Sequence, residues 1–319
     1  MPQKMLRAVG AIAASIALLL AAGCASTATP QAQPGQLRVV VAFYPFQYIA
    51  ERVGGTDAVV TNLTQPGAEP HDLELTPRQV ASLSDADLVI YQQGFQPAVD
   101  KAIEQAKPRR TVDVAQVVSL RTTAQEEAHG AESEPGHDHD HGTGGDELDP
   151  HAWLDPTNLV TVSQAVSRAL ADAKPERAAT FEQHAKAAEA DLTALDQEFQ
   201  RGLAECARRD FITSHAAFGY LAERYRLTQI GIRGLSAEAE PSPARIAEVQ
   251  QIAREHGITT IFYETLVSPA VANAVAGDLH LKTDVLDPLE GLTDRSRGDN
   301  YIEVMRSNLN SLKEANGCR

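Results

Sequence analysis

Short apolar, β-branched segments alternate with helix-forming segments in two separate parts of this chain. In the first part the strand-like segments include LRVVVA, DLVIY and TVDVA, and in the second they include DFIT, ITTIFY and LKTDVL. Strands that alternate with helices need crossover connections, and such connections produce a parallel sheet with helices packed on its faces. The chain is therefore predicted to form an α/β structure of two lobes, each with a parallel sheet flanked by helices.

The longest helical pattern lies between these two parts, at residues 175–206. Its apolar residues recur every three or four positions, as on one buried face of a helix: Phe181, Ala185, Ala188, Leu192, Leu195, Phe199 and Leu203. Roughly thirty residues of helix extend about 45 Å at 1.5 Å per residue, which is longer than one small lobe needs. We therefore expect one long helix to join an N-terminal lobe at 37–174 to a C-terminal lobe at 207–319.

The N-terminus is typical of an export signal that ends in a lipidation site. Basic residues precede an apolar run, 8–22, which is too short to span a membrane and has the length of a signal-peptide core. Small residues then lead to Cys24, as in a bacterial lipobox, although Ala21 replaces the usual leucine. We expect residues 1–23 to be a signal peptide, Cys24 to receive the lipid and residues 24–36 to be a flexible tether. Ordinary secretion with cleavage nearby is the alternative.

Two further cysteines, Cys206 and Cys318, follow in the exported part of the chain. Exported proteins with two leftover cysteines commonly form a disulfide, so we expect a bond that fastens the C-terminal helix. A free thiol on a frayed tail is the alternative. Neither cysteine lies beside a histidine cluster, so neither is expected to bind metal.

The formal net charge of −15 argues against two kinds of partner, nucleic acid and anionic membrane surfaces. An acidic chain without a basic patch is not attracted to nucleic acid or to an anionic membrane surface. We therefore expect no binding to nucleic acid and attachment to the membrane through the N-terminal lipid only. The protein is also expected to be a monomer.

Residues 126–147 form an acidic, glycine- and histidine-rich tract that cannot pack a core, and we expect a disordered loop within the first lobe. Imidazoles can gather a borderline ion such as Zn²⁺. The tract is therefore interpreted as an auxiliary metal-collecting loop with four histidines: His129, His137, His139 and His141. A merely solubilising linker is the alternative, but aspartate or glutamate would serve that purpose without imidazole.

Four other polar residues follow strand-like segments, where open parallel sheets form their ligand crevices. Two come from the first part, His71 and His151, and two come from the second, His215 and Asp287. Prolines stiffen the backbone before His71 and His151, which reduces the ordering cost of binding. Because three imidazoles and one carboxylate suit tetrahedral Zn²⁺, the sequence predicts a zinc site formed by both lobes.

Nearby acidic residues distinguish the predicted metal ligands from the other histidines of the chain. Asp72, Asp149 and Asp155 are each available to accept a hydrogen bond from the imidazole nitrogen that faces away from a metal. The sequence does not select among the three acids. His184 and His256 lie in predicted helices away from strand ends, and we interpret them as solvated side chains.

Several longer segments of the sequence resemble a known family. They are, in order, PGAEPHDLELTP, DADLVIY, DPHAWLDP, FITSHAAFGYLAERYRL, GLSAEAEPSPARI, IFYETLVSP, VLDPLEG and YIEVMRSNL. Together they resemble the metal-binding receptor lipoproteins, or solute-binding proteins, of bacterial ABC transporters for zinc and manganese. The zinc-uptake branch is the closer likeness, and the resemblance extends over essentially the whole chain after the tether.

This resemblance implies two α/β lobes joined by one rigid helix, with a metal held between them. It implies that His71, His151 and His215 bind the metal and that Asp287 or water completes the set. It also implies that Glu264, in the FYET segment, approaches the site behind these ligands. A histidine at position 215 favours Zn²⁺, because manganese members of the family tend to have an acid there.

The predicted function is capture of Zn²⁺ outside the cytoplasmic membrane, in the periplasm or at the cell surface, and its delivery to an ABC transporter permease for import. The alternatives are a receptor for Mn²⁺ or another divalent ion, a metal-buffering adhesin, and a zinc hydrolase with Glu264 as general base. The sequence contains no HExxH segment, which argues against the hydrolase. No enzymatic activity is expected.

Overall fold

Two four-stranded parallel sheets form the framework of the protein, which confirms the fold class expected from the alternating pattern. The computed structural model describes residues 32–122 and 148–319. The expected signal peptide, Cys24 and the four histidines of the collecting loop lie outside the described residues. No helix among the described residues is long and apolar enough to cross a membrane.

The first sheet has the strand order β2-β1-β3-β4, from β1 (Leu37–Val41), β2 (Ala58–Asn62), β3 (Leu88–Tyr91) and β4 (Thr111–Asp113). The helices of this part are α1 (Tyr44–Gly54), α2 (Pro77–Asp85), α3 (Pro97–Ala106) and the short α4 (Val114–Val117). A proline lies in the first turn of α1, α2 and α3, where its missing N–H leaves no bond unmade. Thr76 and Gln79 form a capping box at the start of α2.

The two sheets are connected by a short antiparallel pair and two long helices. The pair is β5 (Arg121–Thr122) with β6 (Leu148–Asp149), followed by α5 (Pro156–Ala173) and α6 (Ala178–Gly202). With 25 residues, α6 extends about 38 Å at 1.5 Å per residue. It begins later than predicted because Pro175–Arg177 forms a separate 3₁₀ turn, and it ends at Gly202, before the predicted end at 206. Its predicted apolar face is buried, and it packs against α5 and α1.

The second sheet repeats the connectivity of the first. Its strands are β7 (Asp210–Thr213), β8 (Thr228–Gly231), β9 (Thr260–Tyr263) and β10 (Lys282–Val285), in the order β10-β9-β7-β8. Its helices are α7 (Gly219–Tyr225), α8 (Pro243–Glu255), α9 (Ala270–Leu279) and α10 (Tyr301–Asn316). In both sheets the first strand therefore lies between the second and the third.

The helix after β7 begins later than the sequence indicated. The residues after Ser214, a common helix N-cap, predict a helix from His215 to Tyr225, but α7 starts at Gly219. The intervening turn is held from both sides, because Ala216 N donates to the carbonyl of Gly234 at 2.9 Å and Thr213 Oγ1 donates to the carbonyl of His215 at 2.6 Å. His215 therefore lies at the end of a strand, not in a helix.

One hydrophobic cluster runs from the first sheet through the long helices to the C-terminus. It includes Val39 of β1, Leu192 of α6 and Leu309 of α10. A smaller cluster surrounds Ile212 and Ile261 in the second sheet. Burial of α6 against both halves explains why the described residues form one compact unit.

A disulfide closes the C-terminus. The structure joins Cys206 and Cys318, which are 112 residues apart in the chain. Cys206 follows α6 and Cys318 follows α10, so the bond attaches the last helix to the end of the connecting helix.

Candidate metal centre

Three imidazoles and one carboxylate converge near the carboxyl ends of the strands. They belong to His71, His151, His215 and Glu290, and one potential ligand atom from each lies within 4.8 Å of the other three. His71 follows β2 and His215 follows β7, as expected, whereas His151 follows β6 instead of β4. The structure thus brings together all three histidines that the sequence singled out.

Glu290 Oε1 lies close to all three rings. Its distance is 3.3 Å to His71 Nε2, 3.4 Å to His151 Nε2 and 3.5 Å to His215 Nε2. The Nε2 atoms of His151 and His215 are 3.3 Å apart. A tetrahedral ion bound at about 2.1 Å holds its ligand atoms about 3.4 Å from one another. These four separations therefore suit a tetrahedral ion such as Zn²⁺.

Carboxylates behind two of the rings fix which nitrogen faces the centre. His151 Nδ1 lies 2.8 Å from Asp149 Oδ1, so Asp149 is the acid that orients this ring. His215 Nδ1 lies 2.6 Å from Glu264 Oε1, which also accepts from Ser214 Oγ at 2.5 Å. A ring that donates through Nδ1 presents Nε2 to a metal. Glu264 thus lies behind His215, as the family resemblance implied.

His71 forms the more exposed edge of the site. Its side chain is 13% exposed, whereas those of His151 and His215 are fully buried. Glu69 Oε2 accepts a hydrogen bond from His71 N at 3.0 Å, and the Phe95 ring packs edge-on at 4.7 Å between centroids. These contacts hold the loop after β2, while the exposed edge of His71 gives the site its contact with solvent.

Within the centre, His151, His215 and Glu290 shift one another's pKa values. Burial by itself raises the pKa of Glu290, but hydrogen bonds from the three histidines outweigh burial and hold that pKa well below its usual range. Burial lowers the pKa of His215, yet the charge of Glu264 and hydrogen bonds to Glu264 and Glu290 raise it to about 10. For His151, bonds to Asp149 and Glu290 likewise overcome burial, and its pKa is raised. Without a metal, protons on His151 and His215 therefore balance the Glu290 carboxylate.

Asp287, which the sequence suggested as the fourth ligand if water does not complete the set, lies outside the converging group. Its Oδ1 accepts from Leu289 N at 2.8 Å, and its Oδ2 accepts from Ser296 Oγ at 2.9 Å and Thr265 Oγ1 at 3.1 Å. Both oxygens are therefore engaged within the second half of the protein. Glu290 occupies the position near the rings that we expected of Asp287.

Sequence reasoning missed Glu290 although it lies in the quoted segment VLDPLEG. We chose the acid nearest the strand end, but Pro288 and the left-handed Leu289, with φ of 58°, turn the chain between the two acids. A positive φ at a leucine is uncommon and leaves little signal in a single sequence. The acid five residues after β10, not the one two residues after it, is therefore directed at the rings.

A family model described as "Zinc-uptake complex component A periplasmic", ZnuA, matches residues 39–315. The chain belongs to the ZnuA family. Among its relatives, the zinc-binding lipoprotein AdcA of Streptococcus pneumoniae is 38% identical over 309 residues, which are 94% of this chain and 60% of AdcA. The high-affinity zinc uptake system protein ZnuA of Bacillus subtilis is 32% identical over 311 residues, 95% of each chain. This ZnuA-family chain thus spans about 60% of the length of AdcA.

Solved structures of ZnuA-family relatives share the fold. Zinc-bound AdcA from Streptococcus pneumoniae superposes with a TM-score of 0.72 at 35% identity, over 88% of this chain and 58% of AdcA. The laminin-binding protein Lmb of Streptococcus agalactiae, described as bifunctional with adhesin and metal-transporting activity, has a TM-score of 0.75 at 28% identity, over 88% of this chain and 99% of Lmb.

Proposed function

We propose that this protein captures Zn²⁺ outside the cytoplasmic membrane and delivers it to an ABC transporter permease for import. The observation that carries the proposal is the donor geometry, because four separations of 3.3–3.5 Å among three imidazoles and Glu290 suit a tetrahedral ion. Membership of a zinc-uptake family and the zinc-binding names of the relatives support Zn²⁺ as the cargo.

The donor set also suits a cargo that has to be released. It contains nitrogen and oxygen ligands and no thiolate, and Cys206 and Cys318 are bonded to each other. Thiolates are softer ligands that favour tightly held structural zinc. An ion bound through imidazole and carboxylate is therefore suited to transfer.

Attachment and metal collection complete the proposal. Cys24 would hold the protein to the membrane through its lipid, and the tether after it would leave the folded part free to meet a permease. The histidines of the tract at 126–147 would collect metal near the site without forming part of it. The lipoprotein name of the relative AdcA and the periplasmic description of the family support an extracytoplasmic location.

Zinc binding is expected to raise the melting temperature of the purified protein. At about a thousandfold excess of free Zn²⁺ over its dissociation constant, a ligand that binds only the folded state contributes about 4 kcal/mol. Metal analysis of the purified protein and thermal melts with Zn²⁺, Mn²⁺ or Mg²⁺ would measure this. A larger shift with Mn²⁺ would favour the manganese receptor, and no shift with any ion would contradict the proposal.

Delivery to a permease needs a separate measurement in cells. Deleting the gene for this protein is expected to reduce zinc-dependent growth and ⁶⁵Zn uptake in low-zinc medium, and restoring it should rescue both. The rescue should require an intact permease gene. A metal-buffering adhesin would bind zinc equally well in solution but would leave uptake unchanged.

Zinc affinity is expected to fall steadily as the pH is lowered from about 8 to about 6. An unperturbed imidazole, with a pKa of about 6.5, competes with metal mainly below that value. His215, with its pKa raised to about 10, keeps its proton across the whole range, so zinc has to displace that proton. For each proton that zinc displaces, the apparent dissociation constant should rise about tenfold for every unit by which the pH is lowered. Chelator competition at several pH values would measure the slope.

The same protons link the stability of the metal-free protein to pH. Because the folded pKa of His215 is above the unfolded value, the stability that it contributes is complete below about pH 6.5 and is lost as the pH rises toward 10. The rise in melting temperature caused by zinc should therefore grow with pH. A dissociation constant that stays flat between about pH 7 and 8 would contradict both expectations.

A further inference from the structure

Glu290 belongs to a loop, yet its carboxylate is fully buried against three rings. The Glu290 loop, residues 286–296, lies between β10 and α10. Leu289, immediately before Glu290, has a left-handed backbone with φ of 58°. A non-glycine residue keeps this conformation only when surrounding contacts hold it. The contacts of this loop therefore decide where the Glu290 carboxylate lies.

Asp287 holds the loop from within its own half of the protein. Its carboxylate accepts from Leu289 N at 2.8 Å, the residue with the left-handed backbone. The same carboxylate accepts from Ser296 Oγ and Thr265 Oγ1, which join the far end of the loop and the strand end after β9. Asn308 of α10 bonds the backbone of Asp287 twice, at 2.9 Å and 2.7 Å. The start of the loop is therefore fixed in several directions.

Trp153 holds the loop from the other half. Its indole Nε1 donates to the carbonyl of Pro288 at 2.7 Å. The backbone carbonyl of Trp153 accepts a hydrogen bond from the Tyr301 hydroxyl at 2.7 Å. The side chain of Trp153 is 1% exposed. Trp153 lies two residues after His151, and Pro288 lies two residues before Glu290. The indole bond therefore ties the segment of one metal-facing ring to the loop of the carboxylate.

We propose that Asp287 and Trp153 are positioning residues that set the Glu290 carboxylate against the three rings before an ion arrives. A donor that is already in place binds without an ordering cost, so the two residues raise affinity through Glu290 and touch no ion themselves. The inference rests on the proposed function, because it requires that the centre binds Zn²⁺. In this proposal Asp287 positions the Glu290 carboxylate and does not itself bind the metal.

A double-mutant cycle tests this assignment. Glu290→Gln keeps the shape of the side chain and removes the anionic donor, and Asp287→Asn keeps the shape of the positioning residue. Residues that support a metal ligand typically change affinity by about 10- to 100-fold. Zinc affinity, measured by chelator competition at fixed pH, should fall about tenfold in Asp287→Asn alone and less than about twofold when the same change is made in the Glu290→Gln background.

Trp153→Phe is the second arm of the test, because it retains a packed aromatic ring and removes only the indole N–H. We expect Trp153→Phe to reduce zinc affinity in the unmodified protein and to have little further effect when Glu290→Gln is already present. Tyr301→Phe is the matched control, since it removes a buried hydrogen bond to Trp153 that does not reach the Glu290 loop. Thr265→Val, which removes one donor to Asp287, is the milder variant if Asp287→Asn does not fold.

A spectroscopic readout separates positioning from general damage. With Co²⁺ in place of Zn²⁺, the visible absorption reports the ligands and geometry of the ion, and Asp287→Asn should shift it toward the spectrum of Glu290→Gln. A loss in Asp287→Asn that persists in the Glu290→Gln background would overturn the proposal, as would equal losses in Trp153→Phe and Tyr301→Phe. If His215→Ala also binds zinc like the unmodified protein, the proposed zinc site itself fails, which is a different outcome.

Discussion

Replacing His215 with alanine is expected to weaken zinc binding by about a thousandfold. The change removes one of four converging donors and leaves Glu264, 2.6 Å from His215 Nδ1, as a buried carboxylate without its ring. Residues that only support a metal ligand typically change affinity by about 10- to 100-fold, so the loss of a ligand itself should reach about a thousandfold. Isothermal titration with a competing chelator would measure the loss.

Deleting residues 129–145 provides the comparison for this prediction. The collecting loop is expected to supply metal without holding it in the site, so its removal should change affinity by less than about tenfold. His256→Ala is the control for histidine removal, since His256 is 44% exposed and pairs with Asp210. Equal losses in the deletion and in His215→Ala would reject the distinction between a collecting loop and a rigid centre.

Removing the disulfide is expected to lower the free energy of unfolding by about 4–5 kcal/mol. Cys206 and Cys318 are 112 residues apart, and in the chain-entropy model a bond that closes a loop of about this size restricts the unfolded chain by that amount. Chemical denaturation of the Cys206→Ser, Cys318→Ser double variant, in the absence of metal, would measure the difference.

Zinc affinity of the same double variant should remain close to that of the unmodified protein, because neither cysteine belongs to the converging group. Reduction of the unmodified protein should reproduce the stability loss, which provides an independent control. Free-thiol titration would show directly whether the bond is present after purification. Unchanged stability in a protein with an intact bond would contradict the expected constraint on the unfolded chain.

The alternating pattern was sufficient to predict the strands of the two parallel sheets and most helices, because β-branched runs such as residues 37–42 strongly favour a buried strand. It did not predict the short pair β5–β6, whose strands have only two residues each. The start of α7 could not be predicted, since it depends on Ala216 bonding to Gly234, a contact between residues that only the folded sheet brings together. A local sequence pattern reports on neighbouring residues, whereas this hydrogen bond joins residues that are distant in the sequence.

The sequence likewise predicts some residues of the candidate site and not others. His71, His151 and His215 could be selected because each follows a strand, and parallel strands direct their ends to one edge. The choice of Glu290 over Asp287 depends on a single left-handed residue, Leu289, and on the bonds that hold it. The choice of Asp149 as the partner of His151 depends on a side-chain distance, which the sequence does not contain.

The hydrophobic cluster shared by β1, α6 and α10 restricts how cargo can leave. Swinging the two sheets apart as separate bodies would pull buried residues such as Leu192 and Leu309 into water. Shifting the short loop around His71 would expose little apolar surface, because that ring already borders solvent. If the protein delivers Zn²⁺ as proposed, we therefore expect release to need displacement of the loop around His71 and not separation of the two sheets.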